Sequence, residues 1–356
     1  MLENLVDHFG DYHVLAGGGF LIGLLFGAAA QKSRFCLRAA TVEIFEARPG
    51  PRMGVWLVVF FAALAFVQTA TALGLFDASG TRQIAATGSM SGAIIGGLMF
   101  GFGMILARGC ASRLLVLSAT GNLRALVTGL LLTIVAQTSL RGVLAPAREA
   151  LAGLWTVEGG AGRDVGARLG LEVGPLAAGS AIVLAFSVVL ARRFGVRPIE
   201  IAGALGVGAA VAVGWLFTFA MTQVSFEPIE ASSVTFTGPA ADTLMGLINE
   251  RQIPLGFGVG LVPGVFAGAM ASALLSREWI LLGFEGAPSM LRYFAGAALM
   301  GFGAMLAGGC AVGAGVSGGS ILALTAWLAL ISMWIGALAA QAALAIVPGA
   351  VAGARP

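Results

Sequence analysis

Long apolar stretches, separated by short polar ones, recur from one end of the chain to the other. A helix needs about 20 residues to cross a bilayer. Nine stretches come near that length, at roughly 14–31, 53–75, 84–107, 122–144, 174–191, 199–220, 253–274, 290–308 and 320–346. Together they use up the length, so the pattern predicts an all-α polytopic membrane protein with about nine transmembrane helices. It also predicts a single transmembrane domain over 1–356, with no large soluble domain beside it. Two polar stretches stand out between the spans. The loop 145–173, with charges of both signs and several glycines, reads as the main extramembrane excursion. The stretch 222–252, carrying Glu227, Glu230, Asp242 and Glu250, reads as a connector, as does GVRPIE at 195–200.

Composition supports the same class. Hydrophobic residues make up 58% and charged residues 10%, against roughly 45–50% and about 25% in soluble domains. The opening MLENLVDHFGDYH is acidic and lacks the basic n-region of a cleaved signal peptide, so it is expected to remain in the mature protein. Of the 20 Lys and Arg residues, 14 fall on the side that carries loops 32–52, 108–124, 192–198 and 275–292 and the C-terminus. The bias of basic loops toward the cytoplasm then predicts a periplasmic N-terminus and a cytoplasmic C-terminus. The net charge of +3 gives no reason to expect a nucleic-acid partner.

A repeat changes the picture. GFGMILARGCASR at 101–113 returns as GFGAMLAGGCAVG at 301–313, and eight of the eleven positions from Gly101 to Ala111 are identical at an offset of 200. Glycine is abundant, 54 of 356 residues, and most of it serves close helix packing in lipid. The glycines around each GCA are different, because GGCAVGAGVSGGS has too little apolar bulk for a lipid-facing helix. Irregular backbone at membrane depth requires protein or a water-filled cavity around it. Each GCA is therefore expected to be a bend or re-entrant segment with the cysteine at a broken helix end. Five crossings separate the two, so the segments enter from opposite faces, as in the inverted repeats of transporters. The first repeat would run from about 14 to 144 and the second from about 199 to 346, related by a pseudo-twofold axis. A weaker echo, GFLIGLLFG at 19–27 and GFGVGLVPG at 256–264, shares five of nine positions at an offset of 237. Six crossings separate that pair, which makes it parallel. Either the match is fortuitous or a re-entrant hairpin has been counted as a span.

The chain has three cysteines, and their surroundings differ. Cys36 follows the first span beside Lys32, Arg34 and Arg38; Cys110 lies between Arg108 and Arg113; Cys310 has no charge within ten residues. That asymmetry suits an anion attracted at one end and released at the other. Gly109 and Gly309 precede two of the cysteines and are expected to shape the path. Arg113, just beyond the bend and flanked by Ser112 and Leu114, is the favoured cation. Flanking arginines repel metal cations, and no metal or cofactor is expected. His8 and His13 read as interface residues. GAGVSG at 313–318 fits a dinucleotide fingerprint only superficially, since no strand precedes it. There is no CxxC pair, and no GxxxxGK phosphate loop to suggest ATP-driven pumping.

Taken together, RGCASR at 108–113, GGCAVG at 308–313 and SRFC at 33–36 resemble the YeeE/YedE family of bacterial inner-membrane thiosulfate transporters, over most of the chain. The resemblance implies an hourglass-shaped, multi-span protein in the lipid bilayer of the inner membrane, with short segments that dip into it. It further implies a thiosulfate path lined by Cys36, Cys110 and Cys310. Some relatives handle selenium, and some work beside a small TusA-like sulfur carrier in the cytoplasm. The chemistry is compatible. The guanidinium fork of arginine suits the oxyanion end of thiosulfate, and a thiol, a weak S–H donor, suits its soft sulfur. Weak contacts favour release along a conducting path. A thiolate would repel a dianion, so neutral thiols passing the ligand by S–H···S contacts are expected. The rival readings are a transporter of another sulfur or selenium species and a membrane-bound sulfurtransferase that holds sulfur as a cysteine persulfide. Such an enzyme needs an activated thiolate with a nearby base, and no histidine or carboxylate stands beside any cysteine in the sequence.

Overall fold

The computed structural model describes residues 2–251, 253–284 and 286–346; Arg355, the basic residue of the C-terminus, lies outside them. Among the described residues, nine helical segments are long and apolar enough to cross a membrane, and three of them, Asp11–Phe45, Met90–Ala119 and Ser289–Ser320, are interrupted. Twelve helices matter for the site. They are α1 Asp11–Ser33, α2 Leu37–Phe45, α3 Pro51–Ala72, α4 Met90–Leu106, α5 Ala111–Ala119 and α6 Leu123–Arg141, followed by α7 Val173–Arg193 and α8 Pro198–Val224. The remaining four are α9 Thr237–Asn249, α10 Phe257–Leu275, α11 Ala287–Ala307 and α12 Leu324–Ile346. Local chemistry sets several of their starts. Pro51 and Pro198 occupy the first turns of α3 and α8, where a missing N–H costs nothing. Asn122 accepts the Ala125 N–H and so caps α6, satisfying a donor that the helix itself cannot.

One local pattern occurs four times: a long helix, a break, a short helical segment, then a second long helix. It runs through α1, α2 and α3; through α4, α5 and α6; through α8, an extended stretch, α9 and α10; and through α11, a π-helical turn at Ala311–Ser317 and α12. Only α7 stands outside the pattern, packed mainly on α3. Little of it is buried within the protein, and its apolar face is left to lipid.

Glycine decides which helices meet. Gly19, Gly23 and Gly27 of α1 interlock with Gly260, Gly264 and Gly268 of α10, each against the partner's backbone, so the two helices run parallel in tight contact. A Cβ at Gly23 would lie 2.5 Å from the Leu261 carbonyl oxygen. The echo between 19–27 and 256–264 is therefore the signature of one contact seen from both sides. Its contacts alternate between two offsets, 238 where Gly19 meets Phe257 and Gly23 meets Leu261, and 244 where Ala16 meets Gly260 and Phe20 meets Gly264. In the same way Gly97 and Gly101 of α4 meet Ala329 and Met333 of α12, again in parallel. Helices α4 and α11 cross antiparallel, with Gly96 on Gly303 and Gly103 on Gly296. Helix α8 runs antiparallel to α1, placing Gly203 on Ala29 and Phe217 on Gly18. The long helices α1, α3, α8 and α10 thus form one half of the bundle, and α4, α6, α11 and α12 form the other.

Both polar stretches hold more structure than their composition suggests. The stretch 222–252 contains α9, packed against α6 and α10. The loop 145–173 is strapped onto the ends of the spans. Thr156–Val157 pairs antiparallel with Gly88–Ser89, and Val165 N–H donates to the Leu322 carbonyl at 3.0 Å. Buried Arg163 donates to Thr325 Oγ1 at 2.7 Å and to the Ala86 carbonyl.

The α1–α10 contact has a direct test. Gly23→Ala forces a methyl group into backbone, and overpacking of this kind costs about 1–3 kcal/mol. Gly17, on the same helix, has nothing within 4 Å of its Cβ position. Melting of the detergent-purified variants should show a clear fall for Gly23→Ala and none for Gly17→Ala.

Candidate functional site

The three cysteines occupy the same place in three breaks of the same construction. In the first, Arg34 closes α1 in the left-handed region at φ 53°, and Cys36, extended at φ −163° and ψ 119°, starts α2. In the second, Arg108 has φ 55° and Cys110 is extended at φ −80° and ψ 168°. In the third, Gly308 has φ 82° and Cys310 is extended at φ −78° and ψ −178°. The second and third breaks also share a backbone closure. Gly109 N–H donates to the Met104 carbonyl at 3.2 Å, and Gly309 N–H to the Ala304 carbonyl at 2.8 Å, the bond that ends many helices. Glycine adopts the left-handed conformation without cost. Arginine there is disfavoured by about 1–2 kcal/mol, so the two arginine breaks keep a guanidinium where glycine would fold more easily.

Each cysteine then stands where Ser or Asn would normally cap a helix. Cys310 Sγ accepts the Gly313 N–H at 3.5 Å. The corresponding amides of Ala39 and Arg113 also face the sulfurs of Cys36 and Cys110, at longer range than a cap hydrogen bond. Cys110 Sγ lies 3.3 Å from Ser112 Oγ. All three cysteines are buried and free.

Folding brings two breaks from different halves of the bundle together. The thiols of Cys36 and Cys110 face one another directly, with Arg113 in electrostatic reach of both. Arg113 Nη1 and Arg38 Nε are buried and have no hydrogen-bond partner. Buried donors are nearly always satisfied in folded proteins, and a buried charge is satisfied best by an opposite charge. Around them stand further cations. Arg38 lies in electrostatic reach of Arg108, Arg124 and Arg292, all three of which approach the ring of buried Tyr293 at 4.9–5.8 Å. Arg34 is placed differently. It is exposed and pairs with Glu278 at 3.5 Å, which also accepts from Gln31 at 2.9 Å, while Lys32 donates to Ser276.

Cys310 lies in different surroundings. Its π-helical turn is covered by the extended stretch between α8 and α9. Ser317 Oγ donates to the Val234 carbonyl at 2.6 Å, a Cβ at Gly313 would strike Thr235, and Trp215 Nε1 donates to the Ser317 carbonyl at 3.3 Å. In the fourth break the residue that starts the short helix is Phe236, buried against Phe26 at 5.0 Å between ring centroids. Phe236 and Ala111, the neighbour of Cys110, line one apolar pocket of about 190 Å³. Short segments inserted from opposite ends of the bundle thus meet inside it. Above Thr235 and Ser233 a larger cavity of about 760 Å³ opens toward the end of α6 and the start of α10.

Of the residues singled out in the sequence, Cys36, Cys110, Arg38 and Arg113 gather in one cluster with Arg108 at its edge, and Gly109 and Gly309 shape their breaks. Cys310 belongs to the opposite set of breaks, and Arg34 is turned to the surface. Arg124, Arg292, Tyr293 and Phe236 were not foreseen. Arg292 and Tyr293 sit at an ordinary helix start, and the Phe236 break has no GC motif to mark it. No group of three His, Cys, Asp or Glu among the described residues is placed to hold a metal.

The model of a family described as "Sulphur transport" matches residues 32–339 of the chain. A protein of Escherichia coli (strain K12) named "Thiosulfate transporter TsuA" is 25% identical over 338 residues, covering 89% of this chain and 91% of that protein. A protein of the same name from Spirochaeta thermophila is 27% identical over 334 residues, covering 89% and 96%.

The facing thiols can be read chemically. Mild oxidation of the folded protein should join Cys36 to Cys110 and leave Cys310 open to alkylation, as seen by peptide mass spectrometry. A Cys310 bridge instead would contradict the arrangement, since a disulfide tolerates only about 4.4–6.8 Å between Cα atoms.

Proposed function

The chain belongs to the sulphur transport family, and on that premise we propose that it takes up thiosulfate across the inner membrane. The relatives' names supply the substrate, and the observation that carries the reading is the pair of buried, unpartnered guanidinium N–H groups of Arg113 and Arg38 beside two facing thiols. Such a site has donors in excess and a soft surface. Thiosulfate has hard anionic oxygens for the first and a soft terminal sulfur for the second. Sulfate, which lacks the soft end, matches only half of it.

The proposed path starts in the 760 Å³ cavity, passes Cys310 and the Phe236 constriction, and reaches Cys110 and Cys36. It ends at the arginine-rich face, giving an hourglass outline. We assign the arginine-rich face to the cytoplasm from the excess of basic residues on that side, with a periplasmic N-terminus. The units α1–α6 and α8–α12 are read as two inverted repeats, in keeping with the antiparallel crossing of α4 and α11 at Gly96 and Gly303. The cysteines act as neutral donors that hold the sulfur end weakly and hand it on, since multi-site, releasable binding is what conduction needs. On the cytoplasmic side a small TusA-like sulfur carrier is the proposed receiver. Transport, and not sulfur transfer, is favoured because no base stands beside any cysteine in the sequence to activate a thiolate.

Uptake of radiolabelled thiosulfate into proteoliposomes tests the reading. Losing a hydrogen bond to a charged group is worth about 1.5–3 kcal/mol, so Arg113→Gln should cut uptake about tenfold or more at low substrate. Cys110→Ala should be worse than Cys110→Ser, and both worse than wild type; serine performing as well as cysteine would remove the role of soft sulfur. Excess sulfate should compete poorly. Intact-mass analysis during turnover should show no added sulfur on the protein, whereas a turnover-linked persulfide would establish the sulfurtransferase instead.

A further inference from the structure

The 760 Å³ cavity on the Cys310 side holds a set of groups that the thiol–arginine cluster does not use. Its walls come from the last turn of α6, the extended stretch before α9, one face of α9 and the first turn of α10. Arg141 reaches into it from the end of α6 and makes no hydrogen bond or ion pair with a described residue. Ser232 and Thr235 supply hydroxyls at its floor beside Ser233, whose Oγ donates to the Val211 carbonyl, and Thr235 lies against the turn that Cys310 starts. Gly256 opens α10 without a side-chain cap, so the first amides of that helix face the same space, a favourable end for negative charge.

One feature is out of place in a mouth for a dianion. Asp242, on α9, lines the cavity together with Arg141 and Glu250. With all three ionised the cavity holds two negative charges against one positive. The other elements packed on α9 add no further charge there: α10 has none, and Arg124 of α6 and Arg292 of α11 lie in the arginine cluster. Arg141 and Asp242 sense each other's charge yet form no ion pair.

Building on the transport reading above, we propose that this cavity is an outer binding site for the anion, in which Arg141 receives the oxyanion end and Asp242 is a competing counter-charge that a proton removes. Partial burial pushes the Asp242 carboxyl above its usual range, against the opposing pull of Arg141. The sign follows. Thiosulfate remains a dianion from neutral to mildly acidic pH, so acidification changes the protein and not the ligand. As external pH falls through the Asp242 titration, the cavity loses one negative charge, the repulsion of the anion beside Arg141 weakens, and affinity rises. By linkage, a bound anion makes Asp242 harder to deprotonate. Arg141 is then a specificity-determining residue for capture, and Asp242 tunes capture to the acidity outside.

The test is thiosulfate uptake into proteoliposomes of the full-length protein at fixed internal pH, with external pH lowered stepwise from about 8 toward the ordinary carboxyl range. For the wild type, KM should fall about twofold or more as Asp242 takes up its proton, with the maximal rate little changed. Asp242→Asn should give the low KM at every pH. Arg141→Gln should raise KM about tenfold and flatten its pH dependence, while Arg141→Lys restores most of the capture. Arg141 is exposed and Asp242 sits on the cavity wall, outside the packed interior, so folding should survive; melting temperature checks this. Undiminished pH dependence in Asp242→Asn, or a wild-type KM in Arg141→Gln, would overturn this inference and leave transport standing. A wild type that takes up no thiosulfate at any pH would instead sink the transport reading itself.

Discussion

A helix broken at membrane depth exposes amide and carbonyl groups that hydrocarbon cannot satisfy, and each unsatisfied group costs several kcal/mol. The whole bundle is organised around making such breaks tolerable. In three of the four units the first long helix is closed by a left-handed residue, and the short helical segment that follows is opened by an extended cysteine. That geometry turns the free amides of the new helix toward the cysteine sulfur, as with the Gly313 N–H on Cys310. The same device that heals the backbone places a soft sulfur beside helix-end donors. Breaks of this kind survive only when surrounded by protein, and all three cysteines are buried.

Glycine supplies that surrounding. Between helices in lipid there is little hydrophobic drive, so stability comes from close backbone approach. The interlocked glycines of α1 and α10, and of α4 with α11 and α12, allow this approach. Through it the Cys36 and Cys110 breaks, which belong to different halves of the bundle, come face to face. The Phe236 and Cys310 breaks are brought together on the other side, where Ser317 bonds the Val234 carbonyl. Packing and chemistry are therefore one problem here, because displacing one helix by a methyl group would move a break.

The breaks share a backbone and differ in charge. Arg34 and Arg108 hold the left-handed position in two of them, and Gly308 holds it in the third. One side of the bundle is thus crowded with guanidinium groups, some stacked on Tyr293, one paired with Glu278, and two presenting buried donors. On the other side, the cavity beside the Cys310 break is lined by hydroxyls and backbone, with Arg141 near two carboxylates. Low-dielectric walls strengthen such differences, so the two sets of breaks differ in their local field as well as in their residues.

How much of this was written in the chain divides along one line. The crossings were legible because a bilayer demands about 20 apolar residues whatever their neighbours are. The GCA breaks were legible because the glycine-rich phrase recurs at 101–113 and 301–313 with its cysteine in place. Those are local properties, set by residues within a turn or two of one another. The cluster of Cys36, Cys110, Arg38 and Arg113 with Arg124, Arg292 and Tyr293 was not, nor was the diversion of Arg34 to Glu278. The α1–α10 echo was visible in the letters, yet only the fold showed it to be a contact. Phe236 could not be recognised as the start of a fourth short helix, since nothing in its sequence repeats the other three. These features depend on which helices become neighbours. Complementary surfaces hundreds of residues apart decide that, and a sequence pattern carries no term for the distance between them. By itself the sequence determined nine apolar spans and the breaks at the two GCA phrases; only tertiary packing decided which breaks face each other and which charges they share.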